Sequence, residues 1–266
     1  MNTAYCSELS KLAGDGVAGT ADTVDVWLMV EYRGAWQPRV VDERPLDGEF
    51  LHWMNAFADS AKADGKRIRW QFIKQQNSYA TRLFIVENGV MRRRVAADHR
   101  SLIDANDEPV SDRLYFVCTH GLRDRCCSEF GLPVYRALRE VVGDRVWQTT
   151  HLGGHRYAPN VLVAPDAVMY GRVSTDRIEE FLAEAETGQM VKTYARGRTC
   201  YEPAVQAAEI LAAEHSPLIS TAQAADGSWL VRFKNQTVCV QARETMGIAS
   251  CGDTKQKAAI TWSLVN

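Results

Sequence analysis

A chain of 266 residues with 46% hydrophobic and 24% charged side chains has ample apolar material for a core, room for two domains of ordinary size, and a composition unlike that of a disordered protein. Its 31 lysines and arginines nearly balance 33 aspartates and glutamates, so a net charge of -2 supplies no global attraction to nucleic acid or to a membrane surface. No apolar run approaches the roughly 20 residues that span a bilayer, and the opening MNTAYCSELSKLAGDG lacks the charged-then-apolar order of a signal peptide. A cytoplasmic location is expected, and there seven cysteines point to metal binding rather than to a disulfide framework.

In chain order, Val24 to Tyr32 reads as a buried strand ended by Gly34, and Leu46 to Ala63 has helical spacing with Phe50, Trp53, Met54 and Phe57 on one side. Ile68 to Ile73 and Leu83 to Val86 are strand-like, and Asn88-Gly89 marks a hairpin turn into Val90. The run Arg92-Arg93-Arg94 is expected on a solvated strand face, and the polar stretch from Asp98 to Asp112 reads as a linker. A second round begins with Leu114 to Cys118, followed by an amphipathic helix from Val134 to Val142. A strand from Val146 to Thr150, a hairpin joining Asn160–Val163 to Val168–Tyr170 across Pro165-Asp166, and a helix from Ile178 to Glu186 complete it. The tail holds a helix from Ala204 to Ala213 and strands at Trp229–Phe233, Val238–Ala242 and Ile260–Val265, a small cap or third layer.

The two rounds read as one unit written twice. At a constant shift of 78, Gly65-Lys66-Arg67-Ile68 meets Gly143-Asp144-Arg145-Val146, Met91 to Val95 meets Met169 to Val173, and Leu83 to Val86 falls on Val161 to Ala164 with no gap. His151 then falls on Ile73 and His155 on Asn77, so only the second copy carries imidazoles there.

Soft and borderline ligands gather in the second round. Three of the seven cysteines and three of the six histidines lie between Cys118 and His155, in Cys118-Thr119-His120-Gly121-Leu122-Arg123-Asp124-Arg125-Cys126-Cys127 and His151-Leu152-Gly153-Gly154-His155. Thiolate with imidazole suits zinc or an iron-sulfur cluster. Gly153 and Gly154 would let the backbone approach an inorganic cluster closely, which argues against His151 and His155 sharing one helical face. Bare spacing leaves a tetrahedral zinc site open, but its cysteines usually stand about two to four residues apart. Here eight residues separate Cys118 from Cys127, which fits a bulkier cluster. A vicinal Cys126–Cys127 disulfide would be strained, and Cys6, Cys200, Cys239 and Cys251 read as scattered, small buried side chains.

At these residues the chain resembles the sucrase/ferredoxin-like family. The resemblance rests on Cys118-x8-Cys127, on His-x-Gly-Gly-His-Arg-Tyr-Ala-x-Asn ending at Asn160, on Tyr170-Gly-Arg-Val173, and on Gly-Arg-Thr-Cys-Tyr-Glu-Pro-Ala-Val-Gln-Ala-Ala-Glu from 197 to 209. It implies an α/β (α+β) fold of two thioredoxin-like units in tandem plus a C-terminal cap. Residues 1–106 would be the unit without ligands, 107–190 the ferredoxin unit and 191–266 the cap. It further implies a 2Fe-2S cluster held by Cys118, Cys127, His151 and His155, with Gly153 and Gly154 against it. Thioredoxin-like ferredoxins generally offer Cys-x3-Cys where this chain has two histidines, and the family spacing selects Cys127 over its neighbour Cys126.

Replacing two thiolates by neutral imidazoles leaves an oxidised cluster formally neutral rather than doubly negative, so its potential is expected above that of a four-cysteine ferredoxin and dependent on pH. Arg123, Arg156 and Arg172 are candidates for contacts around the ligands or for docking a redox partner protein. No Gly-x-Gly-x-x-Gly, Walker loop, Gly-x-Ser-x-Gly or Cys-x-x-Cys is present, and no carboxylate pair stands out for sugar hydrolysis. The expectation is an electron carrier rather than an enzyme with its own substrate. A zinc-stabilised interaction module and a reductase subunit are the alternatives.

Overall fold

The computed structural model describes residues 4–76 and 78–265; Asn77, aligned with His155, lies outside the described residues. A short helix, α1 (Cys6–Leu12), precedes β1 (Val26–Glu31), whose side chains are buried on both faces, which is why this strand reads as a continuous apolar run. A single turn, α2 (Val40–Glu43), leads to α3 (Gly48–Ala63), which is capped by Asp47 accepting the amides of Glu49 and Phe50 at 3.0 Å. Phe50 and Met54 of α3 pack on Val26, Leu28 and Val30. Then come β2 (Ile68–Lys74), β3 (Thr81–Glu87), β4 (Val90–Ala96) and a two-residue β5 (Glu108–Pro109). Asp107 and Glu108 ion-pair with Arg92, Arg93 and Arg94, the basic run on β4.

The second half holds β6 (Leu114–Cys118), α4 (Arg125–Val142), β7 (Val146–Thr149), β8 (Asn160–Ala164), β9 (Val168–Gly171) and α5 (Ile178–Ala185). After it come β10 (Ala195–Arg198), α6 (Pro203–Leu211), β11 (Leu218–Gln223), β12 (Trp229–Phe233), β13 (Thr237–Gly247) and β14 (Lys257–Leu264). One ten-stranded sheet runs β10-β9-β8-β6-β7-β2-β1-β3-β4-β5, and β11 to β14 form a separate antiparallel sheet against α6. Among the described residues no helix is long and apolar enough to cross a membrane.

The fold is mixed α/β, and its two halves repeat one strand order. β1 pairs parallel with β2 and antiparallel with β3, which pairs antiparallel with β4; β6, β7, β8 and β9 repeat this. The halves join where Ile73 and Lys74 pair antiparallel with Thr149 and Gln148. This repetition is compatible with a duplication, although the ungapped shift of 78 does not survive in the third strands. With Ile68 placed on Val146, the pairings put Glu87 on Val163, a shift of 76. The first hairpin closes with two residues between Glu87 and Val90, the second with four between Val163 and Val168. An offset of two keeps the same side chains on the same face, so the apolar match hid it.

The long sheet curls on itself. Three strands separate β3 from β6, yet Phe84 of β3 meets Phe116 of β6 at 6.1 Å and Trp147 of β7 at 5.4 Å. Trp27, Met29, Leu162 and these rings fill a core shared by both halves, and Cys118, Cys127 and Leu152 belong to it. Helix α3 covers the outer face of the first half, and α4 and α5 that of the second.

Candidate metal centre

Strand β6 ends on Cys118, which is 1% exposed, and α4 returns directly over it. The helix starts at Arg125, nine residues before the expected Val134, so Cys126 and Cys127 occupy its first turn rather than a loop. The early start has a physical basis in Asp124, whose Oδ1 accepts the Cys126 amide at 2.9 Å as an N-cap. Gly131 permits the close approach, since a Cβ there would collide with the Cys118 carbonyl oxygen. Helical rotation then parts the two neighbours. Cys127 faces Cys118 and His151, whereas Cys126 faces Cys6, Asp124 and Cys251.

The histidine loop follows β7 and is anchored by the first half of the chain. The His151 carbonyl accepts from Arg69 and Gln71 of β2, each at 3.0 Å. Gly153 and Gly154 have φ of +92° and +66°, and a Cβ on either would strike the Asp22 carboxylate or the Arg196 guanidinium. Arg196 is fully buried and donates to the Gly153 carbonyl at 2.9 Å and to Asn160 Oδ1 at 2.8 Å. Asn160 Nδ2 donates to the Gly154 carbonyl at 3.0 Å.

The Sγ atoms of Cys118 and Cys127 lie 4.0 and 3.5 Å from His151 Nδ1, and the three atoms are within 4.8 Å of one another. The His155 ring stacks on that of His151 with centroids 4.7 Å apart. Its Nδ1 is buried without a hydrogen-bond partner among the described residues, and its Nε2 stands 3.8 Å from Asp124 Oδ2. A half-buried pair of imidazoles beside two buried thiols, with one ring nitrogen left unpaired, is a donor set that fits a soft or borderline metal or a 2Fe-2S cluster.

Burial and neighbouring groups shift three of these side chains. Burial and the nearby His151 ring hold the His155 imidazole down at about 4, so it is neutral at pH 7 and free to ligate. Burial alone would raise the Cys118 thiol, but hydrogen bonds from Cys127 and His151 outweigh it and hold Cys118 well below the usual thiol range. Cys127, the donor to Cys118, is pushed up. His120 stands apart: its Nε2 lies 3.0 Å from the Gln37 carbonyl, and burial lowers its pKa. It lines, with Arg39, Arg69, Arg123 and His151, a cavity of about 310 Å³ open beside the histidine loop.

Of the other arginines singled out in the sequence, Arg172 donates to the Asp15 carbonyl and Ser10 Oγ, and Arg156 is buried 4.0 Å from Asp15. The motif at 197–209 is a brace: Thr199 Oγ1 accepts from the Trp27 indole at 3.0 Å, Arg198 pairs with Glu209 at 2.7 Å, and Gln206 bonds the backbone of Ala21 and Tyr201. Cys200 is exposed rather than buried. Cys6 and Cys251 are not scattered, because both meet Cys126. Sequence reading passed over Asp124, Gly131, Arg196 and Gln71. Only Asp124, an aspartate just ahead of a helix, carried a local signal.

The chain is 29% identical over 109 residues to altered inheritance of mitochondria protein 32 of Meyerozyma guilliermondii, covering 37% of this chain and 39% of that protein. For the protein of the same name from Debaryomyces hansenii the figures are 28% over 106 residues, 36% and 39%. The matches thus span about two-fifths of the length of these relatives. Two structures of a thioredoxin-like 2Fe-2S ferredoxin from Aquifex aeolicus align with 32% of this chain and 91% and 97% of theirs, at 21% and 22% identity. Their TM-scores of 0.28 and 0.29 are too low to weigh on the fold or the site. The family model described as Sucrase/ferredoxin-like matches residues 17–197, more than half of the sequence, and the chain belongs to the sucrase/ferredoxin-like family.

Proposed function

We propose that Cys118, Cys127, His151 and His155 hold a 2Fe-2S cluster and that the protein carries single electrons to or from a partner protein in the cytoplasm. The observation behind this reading is the convergence of two buried thiols with His151 Nδ1, beside a His155 Nδ1 that is buried and has no hydrogen-bond partner among the described residues. When bound, such a cluster supplies one-electron chemistry at a potential above that of a four-cysteine site. The chain's own residues do the rest. Gly153 and Gly154 let the loop between His151 and His155 close against Asp22 and Arg196. With Nδ1 of His155 ligating, Nε2 is left facing Asp124 and can hold the proton that accompanies reduction. Arg123, which lines the open cavity beside His151, would meet an acidic partner surface.

A second reading rests on one distance set: three donors within 4.8 Å of one another also suit a single zinc ion with a structural role. Anaerobic purification separates the two. The cluster reading expects two irons and two acid-labile sulfides per chain, colour, an EPR signal on reduction, and lower potentials for His151→Cys and His155→Cys. A colourless protein whose Cys118→Ser variant loses zinc would overturn it.

A further inference from the structure

Three cysteines far apart in the sequence meet on the other side of the α4 N-terminus from Cys127. Cys6 of α1, Cys126 of α4 and Cys251 of the β13–β14 connection place their Sγ atoms 3.4 Å (Cys6–Cys126), 3.2 Å (Cys126–Cys251) and 3.7 Å (Cys251–Cys6) apart. A carboxylate oxygen of Asp124 completes a group whose four atoms lie within 4.8 Å of one another. Cys6 and Cys126 are fully buried, and Asp124 is 4% exposed. We infer that Cys6, Cys126, Cys251 and Asp124 form a second metal site that holds one zinc ion, distinct from the site at Cys118 although Asp124 also faces His155.

The geometry carries this assignment. Thiolates bound to one zinc at about 2.3 Å in a tetrahedron stand about 3.8 Å apart, so the triangle needs only to open by a few tenths of an ångström. A disulfide would use two of the three sulfurs and leave the third buried beside it, and none of the three is paired. Groups that favour sulfur as thiolate already point inward: the Cys6 amide donates to Cys251 Sγ at 3.5 Å and Ser7 Oγ donates to Cys126 Sγ at 3.3 Å. Asp124 Oδ2 is occupied by Ser250 Oγ at 2.7 Å and the Cys251 amide at 2.8 Å, which fixes the carboxylate beside the thiols. Three sulfurs and one oxygen suit zinc; a hard cation would want more oxygens, and copper(I) sulfur alone. Loading displaces three thiol protons to solvent. The ion would clamp α1 and the segment 248–256 to the turn of α4 that also carries Cys127.

The test uses the full chain, purified anaerobically with reductant and supplied with zinc. The expected result is one zinc per chain beyond any held at the Cys118 site; this one falls to less than a tenth in Cys6→Ser and in Cys251→Ser, is retained in Cys251→His, and is retained in Cys118→Ser. On the wild-type protein, mass-mapped alkylation should find Cys6, Cys126 and Cys251 protected until a chelator removes the zinc, which reads the site even where a variant folds poorly. Absence of zinc from the wild type, its retention in both serine variants, copper in its place, or alkylation of the three thiols that is indifferent to chelator would each overturn the assignment.

Discussion

Asp124 Oδ2 stands 3.8 Å from His155 Nε2 while the same carboxylate caps α4 and holds the loop carrying Cys251. One buried side chain therefore sets the position of the helix turn bearing Cys126 and Cys127 and faces the free nitrogen of a proposed ligand.

Removing that carboxylate is expected to be costly. Asp124→Ala strands three buried or half-buried donors, the Cys126 and Cys251 amides and the Ser250 hydroxyl. Lost caps and unpaired buried donors each cost about 1–2 kcal/mol, and the half-buried Ser250 hydroxyl can turn to water, so the two amides give an expected destabilisation of about 2–4 kcal/mol in urea unfolding. Asp124→Asn keeps an oxygen acceptor for the cap and should lose roughly half as much. Equal stability of Asp124→Ala and wild type would refute this role.

Gly131→Ala tests the contact that brings Cys127 to Cys118. In a helix interior alanine is ordinarily favoured over glycine by about 1 kcal/mol. Here the added methyl meets the Cys118 carbonyl oxygen, a backbone atom that cannot swing aside, and overpacking of this kind costs about 1–3 kcal/mol. The variant is expected to be less stable than wild type and to retain less metal at Cys118. A more stable protein with full metal content would mean that α4 adjusts freely.

Asp25 gives the fold a dependence on acid. Its carboxylate takes paired hydrogen bonds from Arg67 Nε and Nη2, both 2.8 Å, and these hold its pKa below the usual carboxylate value. Because the folded-state pKa is the lower one, the stabilisation is complete above about pH 4 and is lost as pH falls through the folded value. The pair is partly exposed, so its worth is at most about 1 kcal/mol. Unfolding free energies measured from pH 7 to pH 3 should converge for wild type and Asp25→Asn at the acid end; a constant gap would locate the effect elsewhere.

How much of this was legible in the sequence depended on the range of the signal. Strands such as Val26–Glu31 and Trp229–Phe233 were visible because apolar runs and turn residues are local. The start of α4 was hidden by Gly131 and Pro133, which resemble loop punctuation, although the cap and the tertiary contact with β6 outweigh them. The approach of Cys118 and Cys127 to His151 could be read because the three fall within one stretch of chain and two motifs. The trio of Cys6, Cys126 and Cys251 could not, since 245 residues separate its ends and nothing local marks either as facing the other. Arg196 was invisible for the same reason, its partners being Thr20, Gly153 and Asn160.

That arginine makes the sharpest comparison between glycines. Gly154 and Gly89 both have positive φ, +66° and +73°, where any other L residue costs roughly 1–2 kcal/mol. At Gly89 an added Cβ meets nothing within 4 Å among the described residues, so Gly89→Ala is expected to show that backbone cost alone. At Gly154 the Cβ meets the Arg196 guanidinium, which is buried and held by Gly153, Asn160 and Thr20 and so cannot move without leaving buried acceptors unpaired. Gly154→Ala should therefore lose about 1–3 kcal/mol more than Gly89→Ala, and only Gly154→Ala should release metal from the histidine site. Equal losses in the two variants, read by thermal unfolding and metal content together, would show that Arg196 does not fix the loop between His151 and His155.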